Sequence, residues 1–169
     1  RKPQPLPRPR HAALVVPMTT SPLPADLYCV MGNPVAHSRS PAIHARFAEL
    51  TGESIAYERR LVPMDGFAQG VRDFVAEGGR GCNVTVPFKL DAFSIASELP
   101  NTLSTAAMFA QAANTLKFNA DGTVLADNTD GGGLCRDLAR QLKTLGLRLD
   151  QCQVLMVGAG GAASGCVAA

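Results

Sequence analysis

Short apolar runs alternate with helix-spaced stretches from Leu27 onward, and a chain patterned in this way has few architectures open to it. Leu27–Gly32 reads as a strand closed by a turn. Ser40 as N-cap, Pro41 at N1, and Ile43, Phe47 and Leu50 on one face predict a helix ending before Gly52. Ser54–Val62 then reads as a strand and Met64–Glu77 as a helix closed by Gly78 and Gly79. Cys82–Val86 reads as an alternating strand stopped by Pro87. Helical stretches follow around Phe88–Leu99 and Leu103–Ala110. Asn119–Gly122 is a hairpin signal between Ala113–Phe118 and Thr123–Ala126, so an antiparallel pair should join the sheet. Asp130 begins a long helix with Leu134, Leu138, Leu142 and Leu145 on one stripe and Gly146 near its end. Cys152–Val157 reads as a buried strand running into Gly158. The expected fold class is α/β, with a mainly parallel mixed sheet flanked by helices.

Charge is unevenly spread over the 169 residues. Arg1, Lys2, Arg8 and Arg10 precede the first acid, and 12 basic residues stand against 14 acidic ones from Asp26 onward. A nucleic-acid binder would carry its basic surplus in the folded part, so that class is disfavoured. Seven of the 12 prolines also lie before Ala25, and residues 1–26 are expected to be a disordered leader. His11–Val16 is too short for the apolar core of a signal peptide, and Met18 is the expected translation start. The uncharged run Gln151–Ala169 contains four glycines and two glutamines, which argues against a membrane span. The five cysteines show neither C-x-x-C spacing nor a neighbouring histidine at ligand spacing. They read as buried free thiols in a reducing cytoplasm, with no metal site.

Four motifs fall where α/β sheets gather ligands, and a fifth opens a helix. Asn83-Val-Thr-Val-Pro-Phe-Lys89 puts Asn83, Thr85 and Lys89 at the end of a strand, with Lys89 in the first turn of the next helix. A helix N-terminus disfavours a cation, which suits a lysine that must pass a proton; a solvated surface lysine is the plainer alternative. Asp130 in Asn128-Thr-Asp-Gly131 can cap its helix and also orient a lysine or a substrate hydroxyl. Gly32-Asn-Pro-Val-Ala-His-Ser-Arg-Ser-Pro41 offers the Ser38 and Ser40 hydroxyls. His37 in the same loop is a possible proton shuttle, although a structural histidine is commoner. Asn114 is a turn residue or an amide for a substrate hydroxyl. Gly158-Ala-Gly-Gly-Ala-Ala163 follows a strand-like run and opens a helix of small residues, as a pyrophosphate-binding turn requires.

In this order and at these intervals the motifs resemble shikimate dehydrogenase, from about Leu27 to Ala169. The resemblance implies a substrate domain (27–129), a connecting helix (130–150) and the truncated start of a Rossmann domain that binds NADP (151–169). The implied reaction is reversible hydride transfer between NADPH and 3-dehydroshikimate in aromatic amino-acid biosynthesis, carried out in the cytoplasm by a monomer or homodimer with no membrane or nucleic-acid partner. By the same resemblance Lys89 and Asp130 are catalytic. Ser38, Ser40, Thr85, Lys89, Asn114 and Asp130 would bind shikimate with Asn83 in support, and Gly158, Ala159, Gly160, Gly161, Ala162 and Ala163 would take the pyrophosphate. Ala112 and Ala126 stand where the family usually has glycine, and Asn101 where relatives commonly have an acid. With the rest of the Rossmann domain and the C-terminal helices that return to the substrate domain missing, this chain alone is expected to be inactive. A quinate/shikimate dehydrogenase and a non-catalytic shikimate-binding module are the alternatives.

Overall fold

A computed structural model describes residues 25–98 and 102–167; the leader before Ala25 and Asn101 lie outside them. The elements run β1 (Asp26–Gly32), α1 (Ser40–Thr51), β2 (Ile55–Leu61), α2 (Phe67–Ala76), β3 (Gly79–Val84) and α3 (Lys89–Ser97). They continue with α4 (Thr105–Ala110), β4 (Thr115–Phe118), β5 (Val124–Asp127), α5 (Asp130–Thr144), a 3-10 turn (Leu149–Gln151) and α6 (Gly161–Val167). The sheet order is β2-β1-β3-β4-β5, parallel across the first three strands and antiparallel from β3 to β5. This is the mixed α/β sheet expected, and the Asn119–Gly122 turn closes its hairpin with Gly122 at φ +84°.

Strand alternation divides the labour between the two faces. Cys29, Met31, Cys82, Val84 and Leu116 point to one side, where Phe67, Phe74 and Phe88 of α2 and the following turn complete the core. The Phe67 and Phe88 rings stack at 5.0 Å, and Phe74 meets Phe118 edge-on at 6.3 Å. On the opposite side Tyr57, Asn83 and Thr115 share the face that α1 partly covers, leaving an open groove of about 680 Å³ lined by Tyr28, His44, Phe47 and Lys117 among others.

Four expectations are corrected. Cys152–Val157 makes no strand pairing with any described residue, and Val154, Leu155 and Val157 are 65%, 89% and 92% exposed; an apolar run becomes a strand only beside a partner that takes its hydrogen bonds. Ile43, Phe47 and Leu50 form no buried face: Phe47 borders the open groove, Ile43 the smaller cavity beside it, and Leu50 is exposed. Ser40 is the first residue of α1 rather than its cap, and the Ser38 hydroxyl accepts its N–H at 3.3 Å. Only Cys29 and Cys82 of the five free cysteines are buried; Cys135, Cys152 and Cys166 are half-buried.

Candidate active site

Three segments converge beyond the C-terminal ends of β1 and β3. The loop after β1 brings Ser38 and Ser40, the turn after β3 brings Thr85 and Lys89, and the segments flanking the β4–β5 hairpin bring Asn114 and Asp130. All six line one cavity of about 290 Å³ together with Asn83, His44 and Ile43. The two serine hydroxyls lie 3.1 Å apart at its mouth. His37 is exposed and does not line it.

Lys89 Nζ donates to Asp130 Oδ2 at 2.6 Å, with the two side chains only 15% and 28% exposed. The pair joins residues 41 apart in sequence, from the first turn of α3 to the first turn of α5. Asp130 is the first residue of α5 rather than its cap, with its two carboxylate oxygens taken by Lys89 and Asn114, and Asn128 Oδ1 accepts its N–H at 3.2 Å. Asn114 is buried, and its amide donates to Asp130 Oδ1 at 2.8 Å and to Thr129 Oγ1 at 2.9 Å, while its carbonyl accepts the Thr129 N–H at 3.0 Å. Both amide hydrogens are therefore engaged within the protein. Charge-assisted bonds of this kind fix the two carboxylate oxygens in different directions.

The glycine-rich turn lies beside this pair. A Cβ at Gly161 would sit 3.6 Å from Lys89 Cβ, Gly158 has φ +130°, and the surroundings of Gly158 and Gly160 are open. At Gly165 a Cβ would come within 2.7 Å of Asn128 Oδ1, so α6 rests on the residue that caps α5.

Two residues of the site escaped the sequence reading. His44 lines the cavity with its ring stacked on Tyr57 at 4.1 Å. Burial lowers its pKa below the usual imidazole value, with Asn83 offsetting part of the effect. Tyr57 donates to Asn83 Oδ1 at 2.6 Å. Burial pushes its phenol up, the neighbouring Cys29 and Cys82 add to that, and a hydrogen bond with Ser40 opposes it. The only local signal for either was the placement of Tyr57 on a half-buried strand.

The family described as "Shikimate dehydrogenase substrate binding domain" matches residues 30–116. The shikimate dehydrogenase (NADP(+)) of Verminephrobacter eiseniae is 64% identical over 141 residues, covering 83% of this chain and 46% of the relative. Among solved structures, an Ael1 enzyme from Pseudomonas putida superposes with a TM-score of 0.73 at 42% identity, covering 85% of this chain and 50% of that one. Shikimate 5-dehydrogenase from Thermus thermophilus, solved with shikimate, has a TM-score of 0.68 at 31% identity, covering 83% and 50%. The chain thus spans about half the length of the relatives it matches. With the fold and a family model over more than half of the sequence in agreement, the chain belongs to the shikimate dehydrogenase family through its substrate-binding domain.

Proposed function

We propose that this chain is the substrate-binding half of an NADP-dependent shikimate dehydrogenase, which interconverts 3-dehydroshikimate and shikimate in aromatic amino-acid biosynthesis. The observation that carries the reading is the Lys89–Asp130 pair, held at 2.6 Å on the wall of a cavity that also presents the hydroxyls of Ser38, Ser40 and Thr85 and the amides of Asn83 and Asn114. A polyhydroxylated carboxylic acid suits that lining. Ser38 and Ser40 would take its carboxylate, while Thr85, Lys89 and Asp130 would meet the ring oxygens. Asn114, with both amide hydrogens engaged, would act by holding Asp130.

In the reducing direction Lys89 Nζ would deliver a proton to the carbonyl oxygen as the carbon gains hydride; in the oxidising direction it would take the hydroxyl proton. Asp130 would keep the amine oriented and balance its charge. The positive φ at Gly158 and the open approach to Gly160 fit the pyrophosphate of NADP, with Ala159, Gly161, Ala162 and Ala163 completing the turn. When bound, NADP supplies the hydride donor or acceptor. In this reading α5 connects the substrate domain to the cofactor domain, and further chain returns to cover the groove beside α1. Among the described residues no helix is long and apolar enough to cross a membrane. The buried free thiols of Cys29 and Cys82 support a cytoplasmic setting.

The test is NADP-dependent oxidation of shikimate by the full-length protein, with Lys89→Ala beside it. The variant should lose roughly 10²–10⁴-fold in kcat, the usual span for a general acid–base group, with far less change in shikimate affinity. Absence of turnover in the full-length protein, or equal losses in kcat and affinity, would overturn the reading.

A further inference from the structure

The direction of one hydrogen-bond chain can be worked out from its fixed end. The Thr129 backbone N–H can only donate, and it donates to Asn114 Oδ1. The Thr115 hydroxyl donates to that same oxygen at 3.0 Å, so its own oxygen is left to accept from Asn83 Nδ2 at 3.3 Å. The Asn83 carboxamide therefore turns its nitrogen to Thr115 and its oxygen to Tyr57, and the Tyr57 hydroxyl must donate to it, at 2.6 Å. One hydrogen of the Asn83 amide is then left over on a side chain that lines the cavity, where His44 is its one further side-chain hydrogen-bond neighbour among the described residues.

We propose that Tyr57, braced by its ring stack on His44, is a positioning residue for substrate: it locks the Asn83 carboxamide so that an N–H donor faces the acid bound in the cavity. This rests on the function proposed above. Tyr57 itself does not line the cavity, and it reaches substrate through Asn83 and, by its hydrogen bond with Ser40, through the serine loop. Its register explains how an edge strand can do this. Tyr57 pairs with Tyr28 of β1, and its side chain crosses that strand on the α1 face to reach β3. Two residues along the same face, Arg59 Nε donates to the Ser38 carbonyl at 2.8 Å, so β2 braces the serine loop as well.

Tyr57→Phe keeps the ring and its stack and removes only the hydroxyl, with its bonds to Asn83 and Ser40. In the full-length enzyme it should raise the KM for shikimate about tenfold, equivalent to about 1.4 kcal/mol, while kcat stays within about twofold and the melting midpoint is preserved. In an Asn83→Ala background the same change should raise KM clearly less than in the wild type, since only the contact with Ser40 is left for it to act through. The side-chain amide resonances of Asn83 should shift on Tyr57→Phe, with or without turnover. Additive effects in the two backgrounds, a kcat that falls as far as kcat/KM, or unmoved Asn83 resonances would each overturn the proposal. If the wild-type enzyme failed to oxidise shikimate while those resonances did shift, the parent reading would fail and the clamp on Asn83 would stand as a structural contact only.

Discussion

Gly32→Ala adds one methyl group where β1 runs into the serine loop, and its cost can be worked from the contacts. A Cβ at this position would lie 2.4 Å from Thr85 Cγ2 and 3.2 Å from the Val86 carbonyl oxygen. Carbon atoms pack at about 3.5–4.0 Å, so the first contact is short by more than about 1 Å. The Val86 carbonyl is held by the Asn33 N–H at 3.0 Å and has little room to move. The strain therefore falls on Thr85, whose single χ1 rotation carries Oγ1 along with the methyl. Overpacking of this kind costs about 1–3 kcal/mol. In a chain of this size that should lower the melting midpoint by about 2–12 °C, followed by circular dichroism. In the full-length enzyme shikimate affinity should fall as well, because the displaced hydroxyl belongs to the cavity. Thr85→Ser removes the clashing methyl and keeps the hydroxyl, so Gly32→Ala with Thr85→Ser should recover most of the lost midpoint. A Gly32→Ala midpoint within about 1 °C of wild type, or a double variant no better than the single one, would refute the reasoning.

Gly165→Ala drives a methyl to within 2.7 Å of Asn128 Oδ1, the acceptor of the Asp130 N–H. It should cost about 1–3 kcal/mol and weaken shikimate binding, whereas Gly133→Ala, which meets nothing within 4 Å, should leave both unharmed; thermal melts and titrations of the pair check this. His44 has its pKa lowered by burial, so the unfolded chain takes up the proton more readily than the folded one. Its contribution to stability is present above the unfolded value of about 6.5 and is lost as pH falls from there through the lower folded value, so the melting midpoint should drop as pH is lowered below about 6.5. His44→Gln should flatten that profile, and a parallel curve for the variant would remove His44 from the account.

Local pattern made the strand and helix order legible, because β1 to β5 each carry an apolar or alternating run bounded by Gly, Pro or Asn. The same local signal misled at Cys152–Val157, since pairing depends on a neighbour that periodicity does not report. It misled again on α1, where Ile43, Phe47 and Leu50 show helical spacing but stay exposed, with no layer packed over them. Lys89 and Asp130 were each visible as candidates at helix starts, yet only the family resemblance joined them, as no local feature links residues 41 apart. Tyr57 and His44 were missed for the opposite reason. An aromatic residue on a half-buried strand and a histidine on a helix look like ordinary packing until the chain of donors behind Asn83 is traced.

The parallel arrangement of β1 and β3 also sets an orientation for the molecule as an object. Asp26 begins β1 at one edge of the sheet, and the cavity opens beyond the other, six strand steps or about 20 Å away. A linker joined at Ala25 leaves the protein on the side remote from Ser38, Lys89 and Asp130. Fixed to a sensor chip through that point, the molecules stand with their cavities turned toward the flowing solution, so small acids reach them without passing the support.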